Sequence, residues 1–177
     1  MSDIEPLASV RRFDDLGMLT FRGDLSDPAF RADAKQALRM PLPGPRRVSH
    51  AEGETLAWMA PDELLLVSEG GPRAVEPFAE ALQKHHHLAL DVSDARRTFE
   101  LSGRGWRDLL AKGAPVDFHR EAFGPGDFRR TRLGQIAAAF WCVEPDLARI
   151  IVARSVADFA EAWLLGAAKP GLAARVF

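Results

Sequence analysis

Apolar residues in this chain fall into short runs, some continuous and some alternating, divided by glycine, proline and small polar residues. That punctuation favours strands and short helices over long helical rods. The first 15 residues read as a polar, irregular arm in which Pro6 breaks any periodicity. Leu16 to Phe21 reads as a strand. Ser26-Asp27-Pro28 starts a helix, because Ser or Asp can cap it and proline fits its first turn. Phe30, Ala34, Ala37 and Leu38 share one face of that helix. The prolines between Met40 and Pro45 end it. Arg46 to His50, Thr55 to Met59 and Leu64 to Val67 follow as strands. Gly70-Gly71-Pro72 opens a second helix running to about Lys84, with Val75, Phe78, Ala79 and Leu82 inward. Leu88 to Val92 is the next strand. Strand, helix, strands, helix, strand is close to the split βαβ order of ferredoxin-like units.

The second half follows the same logic with other lengths. Arg97 to Leu101 is a strand, and Ser102-Gly103-Arg104-Gly105 turns into a short helix from Trp106 to Lys112. Residues 113–127 form a loop region. Strands follow near Arg129–Leu133, Ile136–Val143 and Ala148–Ala153. Ser155 is placed to cap a last helix, Val156 to about Ala168, whose apolar stripe is Phe159, Ala160, Trp163 and Leu164. The pattern predicts an α+β fold of two ferredoxin-like, split-βαβ subdomains: an arm over 1–15, a first subdomain over 16–92 and a second over 93–177.

Composition narrows the function. The chain has 177 residues, 47% of them apolar, enough for a real core. Its 23 basic and 25 acidic residues leave a net charge of −2, without the basic excess that nucleic-acid binders use. Many arginines have acids close by in sequence, as in Arg11-Arg12 near Asp14-Asp15 and Arg96-Arg97 near Asp91 and Asp94. One cysteine, Cys142, excludes an internal disulfide and a cysteine-based zinc site. One thiol, no signal-like start and no run of about 18 apolar residues point to the cytoplasm and away from a membrane.

Each candidate for chemistry has a plainer reading. His85-His86-His87 cannot converge on one metal from a regular helix or strand, because neighbouring side chains diverge; a polar connection explains them. Cys142 lies in the apolar run Phe140-Trp141-Cys142-Val143 and reads as a small buried hydrophobe. Gly103-Arg104-Gly105 opens a helix but lacks the third glycine and distant acid of a dinucleotide fingerprint. Gly124-Pro125-Gly126 reads as a turn. Asp91, Asp94, Asp117, His119 and Asp127 would serve acid–base chemistry only if brought together, which their spacing does not require. Trp58, Trp106, Trp141 and Trp163 belong to the core or to subunit contacts. No catalytic, cofactor-binding or metal residue is assigned.

Three segments read together resemble a known family. They are Met59-Ala-Pro-Asp-Glu-Leu-Leu-Leu-Val67; Asp91-Val-Ser-Asp-Ala-Arg-Arg-Thr-Phe-Glu-Leu-Ser-Gly103, continued by Asp108-Leu-Leu-Ala-Lys-Gly-Ala-Pro-Val-Asp-Phe-His119; and Arg154-Ser-Val-Ala-Asp-Phe159 with Trp163. Their order and spacing resemble the gamma subunit of heterotetrameric sarcosine oxidase, over nearly all of Leu16 to Ala168. The resemblance implies a fold like the folate-binding half of the glycine-cleavage aminomethyltransferase. It implies alpha, beta and delta partner subunits. FAD, FMN, NAD, folate and zinc would all sit in those partners: NAD and folate in alpha, flavin in beta, zinc in delta.

The chain also departs from the aminomethyltransferase. That enzyme's active loop carries paired glycines followed by acids, whereas Arg132-Leu-Gly-Gln-Ile-Ala-Ala-Ala-Phe-Trp141 has one glycine and no acid. The expectation is therefore a non-catalytic structural subunit of a complex that demethylates sarcosine to glycine. Two alternatives remain. One is a folate-like binding module in which Arg97, Arg129 and Arg132 meet a pteridine and a glutamate tail. The other is a stand-alone transferase, which requires an acid of perturbed pKa in a pocket.

Overall fold

The computed structural model describes residues 6–169, which contain ten strands and four α-helices. Residues 1–5 of the expected arm lie outside the described residues. The described residues divide into two compact units: residues 15–94 form one, and residues 6–14 join residues 95–169 in the other. The strand β1 (Ser9–Phe13) therefore belongs with the distant second half of the chain, not with its sequence neighbours.

The unit of residues 15–94 contains β2 (Gly17–Arg22), α1 (Pro28–Leu38), β3 (Val48–Ala51), β4 (Glu54–Ala60), β5 (Glu63–Ser68), α2 (Glu76–Ala81) and β6 (Leu88–Asp91). Its sheet runs β3-β4-β5-β2-β6, antiparallel at every pair. Without the edge strand β3, the order is that of a split βαβ unit: β5 lies between β2 and β4, which therefore run parallel. Alternation along β2 puts Leu19 and Phe21 on one face, where Phe30, Ala34 and Leu38 of α1 pack with Leu56, Leu64, Leu66, Phe78 and Leu82. Asp27 caps α1, its carboxylate accepting the Ala29 amide at 2.9 Å. Arg39, at φ 55°, ends the helix in the left-handed region.

The other unit is built the same way from β7 (Arg96–Ser102), α3 (Trp106–Ala111), β8 (Phe128–Leu133), β9 (Ile136–Glu144), β10 (Leu147–Ala153) and α4 (Ala157–Ala167). Its sheet runs β1-β7-β10-β9-β8, again antiparallel. Position by position, β7, β9 and β10 repeat β2, β4 and β5, and β8 repeats the added edge strand β3. The fifth place, held by β6 in one unit, is held in the other by β1. In both units the added edge strand enters the sheet through a two-residue hairpin, at Glu52-Gly53 and at Gly134-Gln135. The core of this unit is aromatic: Phe118 meets Trp106, Phe123 and Phe140 edge-on, with centroids 5.9, 5.3 and 5.9 Å away.

Several expectations change. Residues 9–13 are an edge strand rather than irregular arm, because Ala8 is buried and the backbone finds β7 as a partner. The polar residues Ser9, Arg11 and Arg12 suit a half-exposed edge strand, but its partner is too far along the sequence to reveal it. The second helix spans only Glu76–Ala81; Pro77 sits in its first turn, and turns replace its last residues. Ser155 does not cap α4. A 3-10 turn over Arg154–Val156 precedes that helix, and no side-chain cap bond is made. Phe159, expected inward, is 51% exposed, while Ala157 takes a place in the core. Arg97 pairs with Asp14 across 3.0 Å, a partner not anticipated for it.

The backbone before β1 is clasped on both sides. Leu7 donates its N–H to the Ala168 carbonyl at the end of α4, and its carbonyl accepts from the Gly105 N–H, both at 3.0 Å. A Cβ at Gly105 would stand 2.5 Å from the Leu7 oxygen. Gly105→Ala is expected to destabilise the protein by about 1–3 kcal/mol, the usual cost of forcing extra atoms into a packed site. Urea denaturation measures it, and Arg104→Ala, one residue earlier, serves as the control with little effect.

Candidate functional site

The strand-to-helix glycines that suggested a phosphate cradle are occupied by the protein's own backbone. Gly105 gives its amide to Leu7, and Gly103 gives its amide to Asp146 at 2.9 Å. Gly124-Pro125-Gly126 is closed in the same manner. Asp127 accepts the Gly124 amide through its carboxylate at 2.9 Å, and Gly126 donates to Cys142 at 2.9 Å.

The candidate acids bind local backbone too. Asp91 takes both the amide and the hydroxyl of Ser93, at 2.8 and 2.6 Å, and the same hydroxyl accepts the Met18 amide. Those bonds hold Asp91 below the ordinary carboxylate range, so it is charged at neutral pH and unsuited to donating a proton. Asp117 accepts the His119 amide at 2.9 Å, and the His119 ring takes the Glu121 amide at 3.4 Å. These carboxylates hold turns in place rather than meeting around a substrate.

The three histidines separate. His85 bonds Asp33 of α1 at 2.8 Å and stands edge-on to Phe30, with ring centroids 5.4 Å apart. It ties the end of the α2 region to α1. His87 turns to the His85 carbonyl at 3.0 Å. His86 and His87 line an open groove of about 650 Å3 with Arg22, Asp24, Asp62 and Leu88. Two of the groove's charges, Arg22 and Asp62, already pair at 3.0 Å. Among the described residues no group of three or more His, Cys, Asp or Glu is placed to hold a metal ion.

The three arginines weighed for a folate-like ligand do not converge. Arg97 is on β7 and Arg129 and Arg132 are on β8, with β10 and β9 between them. Three strand spacings separate them by about 14 Å. Arg129 also donates to the Phe128 and Ala122 carbonyls, at 2.8 and 3.3 Å. The stretch compared with the transferase's active loop is a tight hairpin. Leu133 pairs directly with Ile136, and Gly134 takes the positive φ of 59° that the turn requires.

The polar group that sequence reasoning missed is Arg107. It is 3% exposed in an aromatic core, and its guanidinium lies 4.3 Å from the Trp106 ring. It donates to the carbonyls of Phe118 and Phe123 at 2.6 and 2.7 Å, fixing the loop between α3 and β8. Cys142 lies 3.9 Å from it and gives its own S–H to the Glu144 carbonyl at 3.1 Å. Burial lowers the Arg107 pKa and raises that of the Cys142 thiol. The thiol is thus the opposite of an activated nucleophile. Arg107 occupies an inward helical position that pattern reading assigns to an apolar residue, so nothing in the sequence singled it out.

Large apolar side chains do reach the surface at Leu88 and Leu90 on β6 and at Phe159 and Leu165 on α4, each between 45% and 52% exposed. No described helix is long and apolar enough to cross a membrane.

Residues 22–169 match the family model described as "Sarcosine oxidase, gamma subunit family". The chain belongs to this family. A curated relative, sarcosine oxidase subunit gamma of Corynebacterium sp. (strain U-96), is 30% identical over 124 residues, 70% of this chain and 60% of the relative. The subunit gamma of an Arthrobacter sp. is 33% identical over 91 residues, 51% of this chain and 45% of the relative. The matches thus span about half of the length of these curated relatives.

A chain of the heterotetrameric sarcosine oxidase from Corynebacterium sp. U-96, solved with pyrrole 2-carboxylate, superposes with a TM-score of 0.85 at 25% identity. It covers 96% of this chain and 88% of that one. The glycine cleavage system aminomethyltransferase T from Bartonella henselae shares the fold, with a TM-score of 0.64 at 14% identity over 92% of this chain and 46% of that one. The α+β fold of this gamma-subunit family member is therefore shared with that aminomethyltransferase.

Two outcomes follow for the buried cluster. Arg107→Met, which leaves two loop carbonyls unpaired, is expected to cost about 2–4 kcal/mol in denaturant unfolding. Cys142 in the native protein is expected to resist a thiol reagent at pH 8 and to react fully once urea unfolds the chain.

Proposed function

We propose that this chain is a structural subunit of a heterotetrameric sarcosine oxidase and runs no reaction of its own. The observation that carries this reading is the match of 96% of the chain, at a TM-score of 0.85, to a chain taken from such a heterotetramer. The local chemistry agrees with it. Asp91, Asp117 and Asp127 bind turn backbone, Gly103 and Gly105 bind the chain's own carbonyls, and Arg107 and Cys142 are sealed in a core. The half-exposed Phe159, Leu165, Leu88 and Leu90 suit a protein that buries apolar surface on assembly.

In this reading the partners are alpha, beta and delta subunits in the cytoplasm. Those partners hold FAD, FMN, NAD, folate and zinc. The assembled enzyme demethylates sarcosine to glycine and releases hydrogen peroxide and formaldehyde, or passes the one-carbon unit to tetrahydrofolate. This chain contributes surface and rigidity.

The test is co-expression of the tagged chain with the other subunits. The expected result is co-purification of flavin-absorbing larger polypeptides with sarcosine-dependent peroxide production, and no such production by the chain alone. Sarcosine turnover by the lone chain, or purification without the larger polypeptides, would overturn the proposal.

A further inference from the structure

Several arginines of this protein are neutralised by carboxylates within the chain. Arg12 pairs with Asp14, Asp158 and Glu161; Arg22 with Asp62; Arg73 with Glu54; Arg120 with Asp146; and Arg149 with Glu100. The outer face of α1 is different. Arg31 and Lys35 on the helix and Arg39 at its C-terminal cap recur at every fourth residue and are exposed, and none is paired with a carboxylate among the described residues. They form one cationic stripe about 12 Å long.

The stripe is bordered by two shallow grooves, one of about 380 Å3 beside Lys35 and Arg39 and one of about 470 Å3 beside Arg31 and Lys35. No acidic residue lines either groove. Their remaining walls come largely from Ala32, Met40, Pro41 and Leu42. Cations bordered by apolar walls suit a folded partner that brings carboxylates and apolar side chains together. Three charges in a chain of net charge −2 form too narrow a field for a nucleic-acid backbone.

We infer that the outer face of α1 is a docking surface for an acidic patch on another subunit of the assembly. This rests on the subunit reading above. The partner's carboxylates supply the counter-charges that these three clustered cations lack within the chain.

The experiment compares the full chain with Arg31→Glu/Lys35→Glu in the co-expressed complex, washed on the affinity resin at about 0.05 M and about 0.5 M salt. The expected result is at least a tenfold fall in retained partner subunits for the variant at low salt. At high salt the two proteins converge, and Arg31→Lys/Lys35→Arg behaves as wild type. Thermal melting of the free chain checks folding; if the reversed variant melts early, Arg31→Gln/Lys35→Gln decides by the same criterion.

Equal retention of the variant at low salt overturns the inference and leaves the subunit reading standing. Failure of the wild-type chain to retain any partner overturns both. Binding of the free chain to vesicles of anionic lipid, lost in the variant while assembly is unchanged, also overturns it, in favour of a lipid surface.

Discussion

Leu7 is held by an amide hydrogen given to the end of α4 and another received from the start of α3. That pair of bonds places Ala8 in the core and sets β1 in register along β7, from Ser9 opposite Ser102 to Phe13 opposite Thr98. Without it, β7 would be a bare edge with a row of unpaired backbone groups. The clasp dictates glycine at position 105, since any side chain would strike the Leu7 carbonyl. Farther along, Arg12 reaches Asp158 and Glu161 of α4 and also Asp14, which Arg97 of β7 shares. Charge and backbone therefore work together to keep the strand in place.

The same economy governs the candidate polar residues among the described residues. A catalytic group needs a free lone pair or proton aimed at open space, with its pKa moved toward the working pH. Here Asp91 is moved the other way by Ser93, and the Cys142 thiol is moved out of range by burial. The fold is shared with the aminomethyltransferase, and here a two-residue turn joins β8 directly to β9. A shared fold by itself says nothing of function, which depends on the side chains placed on it.

Much of this was legible in the sequence. Strand alternation and glycine–proline punctuation located β2 to β10 and α1, and Asp27-Pro28 marked a true cap. The split βαβ order was readable because it depends on local succession. What escaped notice depends on distance in the sequence. The pairing of β1 with β7 joins residues roughly ninety positions apart, and no local pattern encodes it. Arg107 drew no reading from the sequence, because a buried cation is recognisable only once the carbonyls it serves, at Phe118 and Phe123, are seen. Phe159 looked like core because a helical stripe fixes which residues share a face, not where on the wheel the neighbouring sheet begins.

The place of β1 has a consequence for how the chain matures during synthesis. Translated first, the strand must wait for β7, and closing so long a loop of open chain would cost about 4 kcal/mol in entropy. Folding of residues 15–94 removes most of that cost. Its own β2 and β6 are sheet neighbours, and the Met18 amide meets the Ser93 hydroxyl at 2.9 Å, so the two ends of that unit emerge side by side. The early-made unit acts as a staple that shortens the tether, delivering β1 to the ribosome-proximal half as soon as that half exists to receive it.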